Sequence, residues 1–513
     1  MKTQDFKKQV PKNIIINVFS FGITVLAGLW LTPYLLKTLG IVAYGLIPLA
    51  MFFSQYVGVI LNSINISISR FLLISLQKRQ DQVANEIFNT SFVIILAFSI
   101  VQAVIMLVVL FDINYFFNIS DELVEDAIWL FGLTFIGFSI SLLRSIFGTS
   151  LFAYNRLDKL RLIDVLQNVV RLIIIVSLFL YDKPSLKYIG VANLFASVSA
   201  FIPTLHYFKK YTPQLRINLS LFKKHRAAEL SKLSVWILIN QVGVLLFGNA
   251  DLYIVNKFIS VSATGEYAII IQVTSLFRTL AGLLATVLTP VIMIYYTNNE
   301  HKKIKNILVL SAKLLSLVIV IPLVVTIYFS GDLIAVWLGE EYRYIANILS
   351  YSLLFLLFAV PTMPLYSVNV AYNRVKLPAI LTILLGVVNI ISIYLLISYT
   401  DLGLWSVVLA RLIYEFLYNS IFMSIYVSKI IKTNYRVLFQ IPMITVLYFI
   451  LIYISIYSID YMLNITSLLN IIILSIGLSI MFTPIFYLLF FSNEEKKFIK
   501  SRYFNKFLNK MNM

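Results

Sequence analysis

Long apolar blocks recur along this chain from residue 14 to residue 491, and most charged residues fall in the short gaps between them. Residues 92–111 (FVIILAFSIVQAVIMLVVLF) hold Gln102 as their one strongly polar side chain, and 307–329, 441–457 and 471–491 read the same way. None alternates as a barrel strand would, and roughly 20 apolar residues is the length an α-helix needs to cross hydrocarbon. With no water there to bond backbone N–H and C=O groups, each block must satisfy them internally, as a helix does.

The pattern predicts an all-α integral membrane protein with fourteen spans, near 13–36, 43–69, 87–111, 124–153, 160–181, 186–208, 232–256, 264–297, 306–330, 344–372, 377–399, 402–428, 437–458 and 466–492. The gaps carry turn or charge signals: Leu39-Gly40, 77–82, Asp182-Lys183-Pro184, 298–303 and Asp401. Ser120, ahead of Asp121 and Glu122, is expected to cap the fourth helix, with acids in its first turn.

The chain also repeats itself. Ala153-Tyr154-Asn155-Arg156 recurs as Ala371-Tyr372-Asn373-Arg374, and at the same offset Val169-Val170 matches Val387-Val388. Ala43-x-Gly45 pairs with Ala263-x-Gly265, and Ile189-Gly190 with Leu402-Gly403. Similar offsets in the same order indicate a duplication. Each half holds six helices; six is even, so both halves enter from the same side, and the repeats are parallel about an axis along the membrane normal. The expected division is an N-terminal lobe (1–210), a cytoplasmic linker (211–231), a C-terminal lobe (232–430), two further helices (431–493) and a basic amphipathic cytoplasmic tail (494–513). Two lobes meeting at a seam suit alternating access; a duplicated scaffold without transport is the plainer alternative.

Composition excludes other classes. Hydrophobic residues make up 60% and charged residues 12%, with a mean hydropathy of +0.90, whereas soluble domains carry about 25% charged residues. A water-soluble globule cannot hide that much apolar surface, and a disordered chain would not contain it. The net charge of +18 is mainly topology. With the N-terminus in the cytoplasm, 31 of the 41 lysines and arginines fall in cytoplasmic connections, 5 outside and 5 within or beside spans, as the positive-inside rule requires. The acidic group Asp112, Asp121, Glu122, Glu125 and Asp126 then falls outside. In the tail, Ile499, Tyr503, Phe507 and Met511 recur at helical spacing among lysines and Arg502, the pattern of a helix lying on an anionic leaflet. The charge therefore points to lipid rather than nucleic acid. The apolar run from residue 14 is too long for a signal peptide and is read as the first span.

Ionisable groups inside a membrane usually face a cavity or a partner. Here they are mostly cationic: Arg144, Arg171, Arg278 and Arg411, the candidate substrate contacts, since guanidinium offers a planar donor fork suited to phosphate oxygens. The acids are Asp164, Asp251 and Glu415, the candidates for ion coupling. Each has a structural reading beside the functional one. Arg411 and Glu415 are four apart and can neutralise each other. Asp164 and Arg171 lie two turns apart on one face, with Asn168 in reach, which suits a structural network as well as a ligand site. Arg278 has no acid within four residues and is the strongest single candidate. Asp251 can take a proton or sodium ion, or cap a neighbouring helix; Arg70 reads as a snorkelling anchor. Asn62, Asn65, Asn240 and Gln241 are candidates for a polar cavity, or for gluing helices together.

Absences narrow the function further. There is no cysteine, so no thiolate metal or Fe–S site. No G-x-x-x-x-G-K-[ST] stretch and no H-E-x-x-H is present. No cofactor, metal site or catalytic residue is expected, and no connection is long enough for a catalytic domain, so transport is favoured over enzymatic activity.

At this point the chain resembles the O-antigen (Wzx-type) polysaccharide flippases of the multidrug/oligosaccharidyl-lipid/polysaccharide exporter (MOP) superfamily. The resemblance spans the whole chain in its six, six and two helices. Locally it rests on Leu39-Gly40-Ile41-Val42-Ala43-Tyr44-Gly45-Leu46, on Leu338-Gly339-Glu340-Glu341-Tyr342 and on Ala153-Tyr154-Asn155-Arg156. It implies that a polyprenyl-diphosphate-linked oligosaccharide is carried from the inner to the outer leaflet of a bacterial plasma membrane for surface polysaccharide assembly. Both termini would be cytoplasmic. The implied partners are the lipid-linked oligosaccharide, membrane lipids, a coupling proton or sodium ion, and the polysaccharide polymerase machinery. Arg278 resembles the cavity arginine that lipid II flippases carry on the eighth helix; their basic residue on the first helix has no counterpart within 14–36. A MATE-like drug/cation antiporter of the same superfamily and an intramembrane glycan-assembly enzyme are the rival readings.

Overall fold

The structure, a computed structural model, describes residues 3–154, 156–231, 234–235, 238–239, 250–286, 292, 295–296, 300–372, 374–465, 467–493 and 495–496. Within these, the side chains of 3–15, 18, 52–57, 59–62, 66, 70, 77, 152–153 and 301 are not described. Asn240 and Gln241, most of the expected seventh span and nearly all of the expected tail therefore lie outside the description, as does the side chain of Asn62.

Among the described residues all regular structure is helical. Apart from one turn at Ile113–Phe116, the α-helices in chain order are α1 (Thr3–Gln77), α2 (Asp81–Phe111), α3 (Val124–Ala153), α4 (Leu157–Tyr181), α5 (Leu186–Tyr211), α6 (Ala250–Phe258), α7 (Val261–Thr286) and α8 (His301–Tyr328). They continue with α9 (Ser330–Leu338), α10 (Ala346–Leu353), α11 (Leu356–Ala371), α12 (Lys376–Tyr399) and α13 (Trp405–Glu415). A π-helical stretch, Phe416–Met423, joins α13 to α14 (Ser424–Ile430), and α15 (Tyr435–Leu463) and α16 (Leu468–Phe490) follow.

Eleven of the described helices are long and apolar enough to cross a membrane, or twelve if Glu340–Leu353 and Leu356–Ala371, bent by 40°, count as one broken span. The fourteen expected spans are not all matched: the seventh (232–256) runs over residues outside the description, and much of the second (43–69) lies in α1 where side chains are not described. Gly40 breaks α1 where Leu39-Gly40 predicts a gap; its φ of 80° and ψ of 168° are open to glycine and strained for other residues. Ser120 does not cap as expected. It precedes a 3₁₀ turn, Asp121–Leu123, and its side chain makes no capping bond; its carbonyl accepts from Leu123 N–H instead. Tightening the first turn to i→i+3 satisfies an orphan donor without the hydroxyl.

The chain divides into two compact units, Met1–Ala268 with Ala379–Tyr394, and Ile269–Pro378 with Leu395–Met513. In the first, Phe88 of α2, Phe147 of α3 and Phe208 of α5 form an aromatic core, with centroids 5.0 Å apart for Phe88–Phe208 and 5.1 Å for Phe147–Phe208. Ile68, Leu72, Ile95 and Ile146 surround them. The opposite face of α2 leaves Ile100, Val101, Val104, Ile105 and Leu107 exposed, the surface a lipid-facing helix presents. Buried hydroxyls bond back to their own helix: Ser91 to Ile87 O, Ser99 to Ile95 O, Thr204 to Ala200 O, so they cost little in an apolar interior.

An extended segment after α5 is strapped to α2 by two asparagines one turn apart. The Asn85 amide donates to Gln214 O and accepts from Arg216 N–H, each at 2.9 Å. The Asn89 amide donates to Arg216 O (2.9 Å) and accepts from Asn218 N–H (2.7 Å). Thr90 then takes Lys223 N–H at 3.1 Å. The two amides thus read alternate peptide groups as a neighbouring strand would. Elsewhere in this unit, the Tyr188 hydroxyl donates to Asp182 in the connection before α5 and holds that carboxyl below the usual range.

In the second unit α8 packs on α11 and α15, with the Ser316 and Thr445 hydroxyls bonded at 2.7 Å. Lys313 of α8 forms a buried ion pair with Glu495 (2.8 Å), fastening the chain after α16 to α8.

The internal repeat is visible in backbone bonding. Tyr154 N–H donates to Ser150 O and Arg156 N–H to Leu151 O (3.1 and 2.7 Å); the equivalent bonds are Tyr372 to Val368 O and Arg374 to Asn369 O (2.9 and 2.8 Å). The same short motif closes the same helix end twice.

Candidate functional site

In the first unit, α1, α3, α4 and α5 enclose a cavity of about 290 Å³. Arg171 of α4 lines it with Gln167 and Asn168; α3 contributes Thr134 and Ser141, and α5 Asn193 and Ser197. The amides and hydroxyls are partly bonded to one another: Asn193 to Thr134 at 3.0 Å, Ser141 to Ser197 at 3.3 Å. One guanidinium nitrogen of Arg171 donates to Asn168 at 3.3 Å, and its Nε is buried with no hydrogen-bond partner. No acid lines this cavity among the described residues. An intramembrane cation left without a counter-charge is costly, and here it borders open space ringed by donors and acceptors.

Asp164, which the spacing puts on the same face as Arg171, is engaged elsewhere. It pairs with Arg144 of α3 at 3.1 Å and with Arg161 at 3.2 Å, and Arg161 also donates to Asn17 at 2.7 Å. Arg144 and Asp164 thus tie α3 to α4, while among the described residues Arg171 bonds Asn168. Asn65 sits near the Arg144 region, accepting a long bond from Ser145 at 3.5 Å. Asp251 of α6 is fully buried; it accepts from the Tyr267 hydroxyl at 3.0 Å and from the Asn389 amide at 3.3 Å. These partners come from α7 and α12.

In the second unit the local pairing of Arg411 with Glu415 gives way to a tertiary one. Arg278 of α7 reaches Glu415 Oε1 at 2.5 Å, across 137 residues of sequence. The other carboxylate oxygen accepts from Asn419 at 2.5 Å, and Asn419 accepts from the Tyr366 hydroxyl at 2.9 Å. Glu415 is the last residue before the π-helical stretch, the kind of local irregularity often found at functional positions. Arg411 instead lies over the ring of Phe355, 4.7 Å from its centroid, and Arg278 lies over the same ring at 4.9 Å. Phe355 sits at the break between α10 and α11 and is 2% exposed. Two guanidiniums sharing one ring face a quadrupole rather than a second charge.

The four arginines therefore separate into three environments: Arg144 and Arg278 hold carboxylates, Arg411 stacks on an aromatic ring, and Arg171 lines a polar cavity. Sequence reasoning did not single out Gln167, Asn193, Thr134, Ser141, Ser197, Phe355, Tyr366 or Asn419. Polar side chains within spans were the available signal for most of them; Phe355, in an apolar run, offered none.

Comparisons with known proteins bear on the fold. A family model described as MatE matches residues 237–395. The chain is 29% identical over 402 residues to the "Uncharacterized membrane protein EpsK" of Bacillus subtilis (strain 168), covering 78% of this chain and 79% of that protein. Among solved structures, an inward-facing multidrug resistance MATE family transporter of the MOP superfamily matches with a TM-score of 0.68 at 16% identity, over 80% of this chain and 95% of that one. The lipid II flippase MurJ, in an inward closed conformation, matches with a TM-score of 0.65 at 18% identity, over 92% and 98%. A MOP superfamily transporter from Pyrococcus furiosus, whose binding pocket is described as of reverse polarity, matches with a TM-score of 0.58 at 16% identity, over 83% and 97%. The chain has the fold shared by the MATE transporters and MurJ, and its residues 237–395 match the MatE family.

Proposed function

We propose that this protein is a MOP-type transporter that moves an anionic, polyprenyl-diphosphate-linked oligosaccharide from the inner to the outer leaflet by alternating access. The Arg171 cavity carries the reading. Its guanidinium lacks an acid partner among the described residues, and the amides and hydroxyls around it match the donors and acceptors of a sugar. A phosphorylated or acidic saccharide supplies the missing counter-charge, and guanidinium forks are suited to it. The MurJ likeness in fold supports a lipid-linked cargo, and the Leu39–Leu46 stretch supports the superfamily rather than a particular glycan.

Coupling to a proton or sodium gradient has its best candidates in Asp251 and Glu415, the two most buried of the intramembrane acids considered. A MATE-like drug/cation antiporter would be better served by a carboxylate at the cavity wall, where this chain has Arg171. A glycan-assembly enzyme would need reacting groups beside the cargo, and the described lining of this cavity contains none of the usual nucleophile–base pairs.

The test is deletion of the gene followed by analysis of lipid-linked glycans, with the protein supplied back as wild type or as Arg171→Met. Complete repeat units accumulating on the inner leaflet, cleared by wild type and not by Arg171→Met, support the reading. Truncated units point to an enzyme, and an unchanged surface glycan rejects both.

A further inference from the structure

A second cavity, of about 450 Å³, lies in the second unit at the start of α8. Lys303, Lys305 and Asn306 of α8 line it, with Ile307 and Leu310 of the same helix, Val437 of α15, Tyr295 before α8, and Ser492 and Glu495 after α16. Its charges do not cancel. Glu495 has both carboxylate oxygens on Lys313, at 3.0 and 2.8 Å, and also accepts Ser492 N–H at 2.7 Å. Lys303 is paired with Glu300 at 2.8 Å. Lys305, half-buried, has no acid partner among the described residues. The result is a cleft lined by an uncompensated ammonium, an amide donor and aliphatic side chains. The cluster 302–305 also belongs to the connections that the positive-inside count assigns to the cytoplasm, and the chain beyond Glu495 continues into the basic segment 496–510.

We propose that this cleft is a binding site for an anionic phospholipid of the inner leaflet. The lipid phosphate lies against Lys305 and Asn306, and an acyl chain runs along Ile307, Leu310 and Val437. A single negative charge balances Lys305, while the apolar lining excludes a fully hydrated small anion as the preferred occupant. A lipid held there bridges α8, α15 and the segment after α16, adding α15 to the two elements that the Lys313–Glu495 pair fastens together. The site is separate from the Arg171 cavity and stands whatever cargo the protein moves.

The experiment is native mass spectrometry of the full-length protein in mild detergent, titrated with phosphatidylglycerol or phosphatidylcholine. Wild type is expected to retain phosphatidylglycerol preferentially. Lys305→Gln should weaken that retention by about fivefold, the effect of one lysine near an anionic lipid surface, and Lys305→Arg should preserve it. Lys302→Gln, an exposed lysine outside the lining, should leave it unchanged. Equal retention of the two lipids by wild type overturns the proposal, as does a Lys302→Gln loss equal to that of Lys305→Gln, which would mark a diffuse surface effect. Displacement of the bound lipid by millimolar glycerol phosphate would assign the cleft to a soluble anion instead.

Discussion

Gly45 and Gly265 meet backbone to backbone: a methyl group on Gly45 would lie 2.6 Å from the amide nitrogen of Gly265, and one on Gly265 would collide with the carbonyl of Ile41. The two glycines occupy equivalent places in the internal repeat. The pairing brings the second segment of α1 against the start of α7. Close approach of helices through small residues is how membrane helices gain packing without a hydrophobic driving force.

Gly45→Ala and Gly265→Ala should each destabilise the protein toward the upper end of the ~1–3 kcal/mol typical of overpacking, because the obstructing atoms are backbone and cannot swing aside. Gly22→Ala, where no atom lies within 4 Å of the added methyl, should cost nothing. Thermal unfolding of the three variants in detergent checks this; equal melting temperatures for Gly22→Ala and Gly265→Ala would sink it.

The Arg278–Glu415 pair yields a prediction of a different kind. The Glu415 side chain is 3% exposed and that of Arg278 34%, so removing the arginine strands a buried carboxylate. Breaking a buried pair costs about 3–5 kcal/mol, and the partial exposure of Arg278 places this one at the low end. Arg278→Ala should lower the melting temperature and the amount of protein, whereas Arg278→Gln combined with Glu415→Gln should recover much of the loss. A double-mutant cycle measures the coupling; additive effects would show that the two groups do not sustain each other.

The helical class and the break at Leu39-Gly40 were legible because bilayer thickness imposes a length, and glycine at a gap between apolar blocks permits a conformation other residues resist. The repeat was legible because a short motif closes the same turn twice. The site was less so. Arg278 has no acid within four residues, yet Glu415 reaches it from a helix 137 residues on; Arg411, with Glu415 one turn away, lies over Phe355 instead. Local spacing names who could pair, and tertiary packing decides who does. The Arg171 cavity draws two or three polar residues from each of three helices, α3, α4 and α5, and no window along the chain contains them together. Ser120 missed its capping role for a local reason, since the 3₁₀ turn supplied the same bond from its carbonyl.

The strap on α2 should respond to loss of one amide. Asn89 is fully buried, and Asn89→Ala would leave the carbonyl of Arg216 and the N–H of Asn218 without their partner. A buried group left unsatisfied costs about 1–3 kcal/mol; Arg216 and Asn218 are exposed, so Asn89→Ala should fall toward the low end, and Asn85→Ala, at the more exposed end, lower still. Limited proteolysis in the 212–223 segment is the measurement. Faster cleavage in Asn89→Ala than in Asn85→Ala is expected, and unchanged cleavage in both would mean that the segment is held by other contacts.

Arg171 and Arg278 should part company when stability and transport are measured side by side. Arg278 neutralises a buried acid, so its loss is felt first by the fold. Arg171 has Asn168 and an unbonded Nε beside a polar cavity, and a cation at mid-membrane carries an insertion cost of roughly 2.5–3.5 kcal/mol. Arg171→Met keeps much of the volume and removes the charge. It should therefore hold or raise the melting temperature while abolishing transport, the trade expected where a binding group is kept at the expense of stability. Arg171→Lys keeps the charge but loses the planar fork, so it should bind cargo more weakly than wild type and better than Arg171→Met. If Arg171→Met melts as early as Arg278→Ala, the guanidinium has a structural partner and the cavity loses its claim to the cargo. If it melts normally and still transports, the counter-charge argument fails at its first step, since the cation would then be dispensable to both fold and function.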